Sequence, residues 1–220
     1  MPAASMYAFT WRSLWEGKWA ILVLGVLSGT TAVWCPVPWA VYPPVALLVF
    51  TLLFFRDPKR YPPEDPNAIV SPADGKIVEV RRVTEPDYLK SDAQMVAIFL
   101  SVFDVHVQRA PITGEIKFVE YHKGRFLDAR NPQAGTLNEN RVIGIEGANG
   151  LRVTVRQVAG LIARRIAGWA DTGAALEQGD RIGMIRFGSR VELYLPVDAQ
   201  VTVNVGQMVK GAEDVIARTR

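Results

Sequence analysis

Met184-Ile185-Arg186-Phe187-Gly188-Ser189-Arg190-Val191-Glu192-Leu193-Tyr194-Leu195-Pro196 lies near the C-terminal end of a 220-residue chain. Taken with a period of two, Ile185, Phe187, Val191, Leu193 and Leu195 share one face. Arg186, Arg190, Glu192 and Tyr194 share the other. That alternation predicts a half-buried strand. Ser189 is the polar member of the apolar series and follows Gly188, a residue free to adopt backbone angles closed to others. A hydroxyl so placed is either a satisfied core serine or a nucleophile aimed at its own peptide bond.

The rest of the chain narrows the choice. A net charge of +3 with no long Lys/Arg run gives no footprint for nucleic acid. Cys35 is the single cysteine, so no intrachain disulfide forms. With one Cys and two His, a zinc site of the His/Cys kind is disfavoured, and no metal site is expected.

From Trp19 to Phe55 no residue is charged, and Pro36, Pro38, Pro43 and Pro44 divide the run. Two apolar segments, about 19–35 and 37–55, each approach the roughly 20 residues of a membrane-crossing helix. A membrane hairpin over 19–55 is therefore expected after an N-terminal cytosolic segment, 1–18. Gly25 and Gly29 form a GxxxG spacing suited to close helix approach. Arg12 and Lys18 precede the hairpin and Arg56, Lys59 and Arg60 follow it, so positive charge puts both ends on the cytoplasmic face of the cell membrane. Residues 56–68 read as a proline-rich linker, and residues 69–220 as a β domain.

Within that domain short strands alternate with turn signals. Met95 to Phe103 reads as a strand buried on both faces. Gly114–Tyr121, Val142–Glu146, Leu151–Val158, Leu161–Trp169 and Val201–Gly206 read as further strands, with a turn or helix over Lys210–Arg218. Residues 120–141 form a polar loop, a usual place for function. Ser71-Pro-Ala-Asp-Gly-Lys-Ile-Val-Glu-Val and Val205-Gly-Gln-Met-Val-Lys-Gly-Ala-Glu-Asp-Val-Ile resemble the two halves of a lipoyl or biotinyl carrier domain, without the carrier lysine. The expected fold is mainly β and barrel–sandwich-like.

Three segments then stand together: Ser71-Pro72-Ala73-Asp74-Gly75, Phe99-Leu100-Ser101-Val102-Phe103-Asp104-Val105-His106-Val107-Gln108-Arg109-Ala110-Pro111, and Arg186-Phe187-Gly188-Ser189-Arg190. With the hairpin and its Phe55-Arg56-Asp57-Pro58 exit, they resemble the phosphatidylserine decarboxylase family in its short form. The resemblance implies a proenzyme that cuts itself between Gly188 and Ser189. Ser189 would become a pyruvoyl group, the cofactor, at the head of a small chain of residues 189–220. The substrate amine would condense with that ketone, carbon dioxide would leave, and reprotonation would convert phosphatidylserine to phosphatidylethanolamine. By motif position, His106 is the base and Asp74 its carboxylate. A serine needs such a base to become nucleophilic, and histidine titrates in the useful range.

Longer members of the family carry a second histidine where this chain has Arg109, which stays protonated and cannot act as a base. Asp104 is an alternative orienting group, expected on the same strand face as His106. Arg125, Arg130 and Arg141 are candidates for the lipid phosphate. His122 matches no family histidine and is expected in an exposed loop. The partners implied are membrane phospholipid and the two chains of one precursor, in a possible homo-oligomer. A pyruvoyl enzyme for another amino-group lipid or amino acid, a membrane-tethered serine hydrolase, and a non-catalytic carrier-like module stay open as alternatives.

Overall fold

The computed structural model describes residues 9–131, 133–161, 165–186 and 188–219, which fall into two compact units, Met1–Lys59 and Arg60–Arg220. Four sequence expectations touch residues outside those described: most of the cytosolic segment (1–8), Pro132 in the polar loop, Ile162–Arg164 in the expected strand 161–169, and Phe187 on the apolar face.

The first unit is a helical hairpin. Helix α1 (Trp11–Trp34) starts where Thr10 caps it: the Thr10 hydroxyl accepts from Ser13 N–H, and the Ser13 hydroxyl accepts from Thr10 N–H. Its start lies eight residues before the charge-free run, because the cap, not the last charge, sets the boundary. At about 1.5 Å per residue it is long enough to cross a bilayer, and it is apolar enough to do so. A 3₁₀ turn (Pro38–Val41) leads into α2 (Tyr42–Phe54), whose Pro43 and Pro44 sit in its first turn, where no donor is lost. The second segment is thus shorter and more broken than the sequence implies. The Thr10 hydroxyl donates to Asp57 Oδ2 at 2.8 Å and the Phe55 ring packs on Gly17, latching the two ends of the hairpin together. Trp19, Leu22, Val23, Val26 and Trp39 point outward, an apolar exterior suited to lipid.

The second unit holds fourteen strands among its described residues: β1 (Ala68–Val70), β2 (Gly75–Glu85), β3 (Ser91–Leu100), β4 (Val107–Arg109), β5 (Gly114–His122), β6 (Asn140–Glu146), β7 (Arg152–Val158), β8 (Ile166–Gly168), β9 (Ala175–Leu176), β10 (Arg181–Ile185), β11 (Ser189–Pro196), β12 (Gln200–Val201), β13 (Met208–Val209) and β14 (Val215–Arg218). A short helix, α3 (Ala134–Leu137), lies between β5 and β6. Eight strands form one antiparallel sheet in the order β13-β2-β3-β11-β7-β6-β5-β9, and two three-stranded sheets, β1-β14-β12 and β4-β10-β8, complete the unit. Ile69, Ile77, Ile98, Ile143, Val155, Ile182, Ile185, Leu193 and Ile216 come from all three sheets into one core. The mainly β, sandwich-like expectation holds. Its two carrier-like segments lie side by side: β13 pairs with β2, and Ser71 exchanges backbone bonds with Ala212 and Asp214.

The quoted stretch is not one strand. It divides into β10 of a small sheet, which ends at Ile185, and β11 of the large one, which begins at Ser189. Gly188 has φ of +54°, a left-handed conformation that turns the chain from one sheet into the next. Beyond the break the inward face is as read, with Ser189 buried on the same side as Val191, Leu193 and Leu195, but the strand is not half-buried: Arg190, Glu192 and Tyr194 on its other face are buried as well. Lys210–Arg218 ends as a turn followed by β14, because Ala217 and Arg218 find backbone partners on β1 and β12. The strand expected over 201–206 shrinks to β12.

Candidate active site

Two of the connections between the large sheet and the β4-β10-β8 sheet concern the site. Residues 101–106 carry the chain from β3 to β4, and a second connection follows Ile185 at the end of β10 and reaches Ser189 at the start of β11. Because β3 pairs with β11 and β4 pairs with β10, the two connections lie side by side. Ser189 opposes Leu100 at the start of the 101–106 connection, and Ile185 N–H reaches His106 O at 3.4 Å at its end. The pairing thus sets the connection that ends at His106 alongside the one that leads to the Gly188–Ser189 bond.

His106 is fully buried, and its Nδ1 lies 3.0 Å from the carbonyl oxygen of Asp104. A carbonyl only accepts, so in the neutral ring Nδ1 carries the hydrogen and Nε2 is the basic nitrogen. The expectation for Asp104 changes accordingly. Residues 101–106 form a turn, and strand alternation does not apply there. The Asp104 carboxylate accepts from Ser101 N–H and Oγ–H, both at 2.8 Å, so Asp104 orients His106 through its backbone and not its side chain.

Asp74 sits in the turn before β2, which is docked on β4 by Arg109 N–H to Pro72 O at 2.9 Å. Its Oδ1 accepts from Gly211 N–H at 2.8 Å, and its Oδ2 pairs with Arg60 at 2.7 Å. Burial pushes the Asp74 carboxyl above its ordinary pKa. Arg60 and the Gly211 amide pull against that, and the neighbouring Asp104 charge adds to the rise. Arg60 reads in the sequence as one of the free positive charges that flank the hairpin. Its side chain is instead 7% exposed, spent on Asp74 and Glu213.

The Ser189 hydroxyl is buried and has no hydrogen-bond partner among the described residues. A satisfied core serine would have one. The carbonyl oxygen of Gly188 presses on Gly160: a Cβ built on residue 160 would meet that oxygen at 2.1 Å. Residue 160 is held in turn by the polar loop. Asn138, 1% exposed, donates from Nδ2 to Ala159 O at 2.8 Å and to Leu127 O at 2.9 Å, and accepts from Leu127 N–H. Asn138 and Gly160 were not singled out in the sequence, and Arg60 was noted only as a charge flanking the hairpin. Nothing in their local context marks them, since each acts through a partner distant in the chain.

The three arginines separate. Arg125 is exposed. Arg130 is exposed and bidentate to Asp128, whose carboxyl it lowers to about 2. Arg141 is 5% exposed and donates to Gln157 Oε1, Ile182 O, Ala170 O and Asp171, so it ties sheets together and its donors are spent inside the fold. His122 ends β5, half-exposed near Asp87 and Glu120. A cavity of about 400 Å³ lined by Leu89, Arg152 and Pro196 lies at the opposite end of β11 from Ser189. Among the described residues no cluster of three His, Cys, Asp or Glu is placed to hold a metal ion.

A mainly β unit that buries an unsatisfied serine directly after a left-handed glycine, with a buried histidine on the neighbouring connection, holds the residue types that self-processing chemistry needs. Residues 47–217 match the family model for phosphatidylserine decarboxylase. The chain is 43% identical over 208 residues to the phosphatidylserine decarboxylase proenzyme of Symbiobacterium thermophilum, covering 94% of each. It is 44% identical over 206 residues to that of Carboxydothermus hydrogenoformans, covering 93% of this chain and 95% of the other. It is 44% identical over 169 residues to that of Desulfotalea psychrophila, covering 77% and 79%. The chain belongs to the phosphatidylserine decarboxylase family.

Proposed function

We propose that this chain is a self-cleaving precursor that decarboxylates phosphatidylserine to phosphatidylethanolamine at a membrane surface. The Ser189 Oγ adds to the Gly188 carbonyl carbon while His106 Nε2 takes its proton. The C–N bond breaks as the Ser189 nitrogen takes a proton, leaving an ester. Removal of the Ser189 α-hydrogen then expels Gly188 as a carboxylate. The resulting enamine tautomerises, adds water and loses ammonia, which leaves a ketone at position 189. Asp74, ionised with the help of Arg60, supplies the negative field beside the 104–106 turn that favours a protonated His106.

That pyruvoyl ketone, conjugated with the amide carbonyl of residue 189, is an electron sink for loss of carbon dioxide from an α-amino acid headgroup. His106 returns a proton to the substrate carbon. Arg109 cannot share that task, so one histidine serves both stages. Arg125 is the arginine for the lipid phosphate. The hairpin keeps the site at the bilayer, since drawing a diacyl lipid into water costs about 0.8 kcal/mol per methylene. Its flanking charges put the catalytic unit on the cytoplasmic face.

The observation that carries this reading is the buried, unsatisfied Ser189 hydroxyl next to a carbonyl held by Gly160. The same burial disfavours a hydrolase acting on an external ester. Replacing Ser189→Ala tests it: a single uncut 24.3 kDa chain that releases no carbon dioxide is expected. Cleavage in that variant would remove Ser189 from the role.

A further inference from the structure

Arg190 follows the proposed cleavage point by one residue and lies on the opposite face of β11 from Ser189. That face should meet solvent by alternation alone, yet Arg190 is 2% exposed. Its Nε donates to Glu192 Oε1 at 2.7 Å and its Nη2 to Glu79 Oε2 at 2.5 Å. Glu79 is on β2, and β3 runs between β2 and β11. The guanidinium therefore reaches over an intervening strand. Two features of the sheet permit this. Ala97 of β3 pairs with both Glu79 and Glu192, so the residue under the guanidinium is small. A register shift in β2 between Ile77 and Glu79 puts Glu79, not Val78, opposite Ala97. Glu192 is fixed independently: the Tyr194 hydroxyl donates to its Oε2 at 2.5 Å, and Arg156 Nη1 donates to that hydroxyl at 2.8 Å.

We propose that Arg190, gripped between Glu79 and Glu192, is the positioning residue that holds the new chain end in place after cleavage. The inference rests on the self-cleavage reading above. In the precursor, Ser189 is held by its peptide bond to Gly188 and by its pairing with Leu100. Once that bond is cut, residue 189 is a terminus. It keeps its β3 partner, but pairing with β7 begins only at Arg190. Glu79 belongs to the large chain and Arg190 to the small one, so this ion pair joins the two products one residue from the ketone. A positioning role of this kind acts on catalysis after cutting and leaves the cutting itself intact.

The test compares wild type, Glu79→Gln, Glu79→Asp and Arg190→Lys, each as the full chain in detergent micelles containing phosphatidylserine. Intact mass reports cutting, borohydride trapping counts ketones, and carbon dioxide release gives kcat per trapped ketone and KM. Glu79→Gln and Arg190→Lys should cut fully, lose about tenfold in kcat per ketone and hold KM within about twofold. Glu79→Asp, which keeps the charge, should recover most of that loss. A wild-type kcat per ketone in both Glu79→Gln and Arg190→Lys would overturn the clasp. So would failure of both to cut, which would assign the contact to the precursor. An uncut but well-folded wild type would instead overturn the self-cleavage reading and the clasp with it, whereas a cut, active wild type isolates the clasp as the point at issue.

Discussion

The carbonyl oxygen of Gly188 occupies the space in which a side chain on residue 160 would begin, 2.1 Å from the position of its Cβ. Gly160 is therefore the floor against which the proposed scissile carbonyl rests. Gly160→Ala must push that carbonyl away, and small displacements of a reacting atom are costly when attack depends on geometry. Cutting should slow by about a hundredfold or more, with the thermal transition of the precursor still cooperative. Intact mass over time after synthesis measures it. Normal cutting would show that the carbonyl has room to relocate.

His106 has a second, sharper test. Its Nδ1 is committed to the Asp104 carbonyl, which leaves Nε2 as the base. His106→Ala should slow cutting by about 10²–10⁴-fold, the range for loss of a general base. Asp104→Asn keeps the backbone carbonyl and should reduce cutting far less. Equal damage from the two variants would restore the Asp104 side chain to a direct role.

Arg60 sets the pH range in which Asp74 is ionised. Burial already holds this carboxyl above its ordinary value, and Arg60 opposes that rise. Arg60→Met removes the opposing charge, so the Asp74 pKa rises further. The acid limb of the cutting rate, which falls as Asp74 takes up a proton, should then move to higher pH. For stability the sign is as follows: a raised carboxyl favours the folded state at low pH, and that contribution is lost as pH rises through the folded pKa. An unmoved acid limb would separate Asp74 from the chemistry.

These sites differ in how far the sequence exposes them. The inward face of β11 is plain from alternation, because Val191, Leu193 and Leu195 can only be buried together. The break at Gly188 is not, since a glycine within an alternating run is compatible with a continuous strand. Asp104 and His106 share a face only where 101–106 is taken as strand, and it is a turn. Arg190, Glu192 and Tyr194 read as solvent-facing, and their burial in a charged network depends on Glu79, Glu85, Asp87 and Arg156, far away in the chain. Arg141 reads as part of a loop because its acceptors on residues 157, 170 and 182 are invisible locally.

Tyr194 measures what that network contributes. Burial and the Glu192 charge raise its hydroxyl above the ordinary phenol range, so it stays a donor. Tyr194→Phe strands one carboxylate oxygen and one arginine donor and should cost about 1–3 kcal/mol. Denaturant unfolding of Ser189→Ala against Ser189→Ala/Tyr194→Phe reports the difference without interference from cutting. A change below about 0.5 kcal/mol would mean that other groups take over both partners.

Cys35 lies at the turn of the hairpin and is the single cysteine of the chain. If α1 and α2 carry the chain across the membrane and back, a membrane-impermeant thiol reagent should label it in intact spheroplasts. Protection there, with labelling only in inverted vesicles, would reverse the assigned orientation.

Intact mass spectrometry of the purified full chain addresses self-cleavage itself. Two chains ending and beginning at Gly188 and residue 189 are expected, the smaller lighter by one ammonia than residues 189–220 would weigh with a free serine terminus. A fully active preparation consisting only of the undivided 220-residue chain would contradict it.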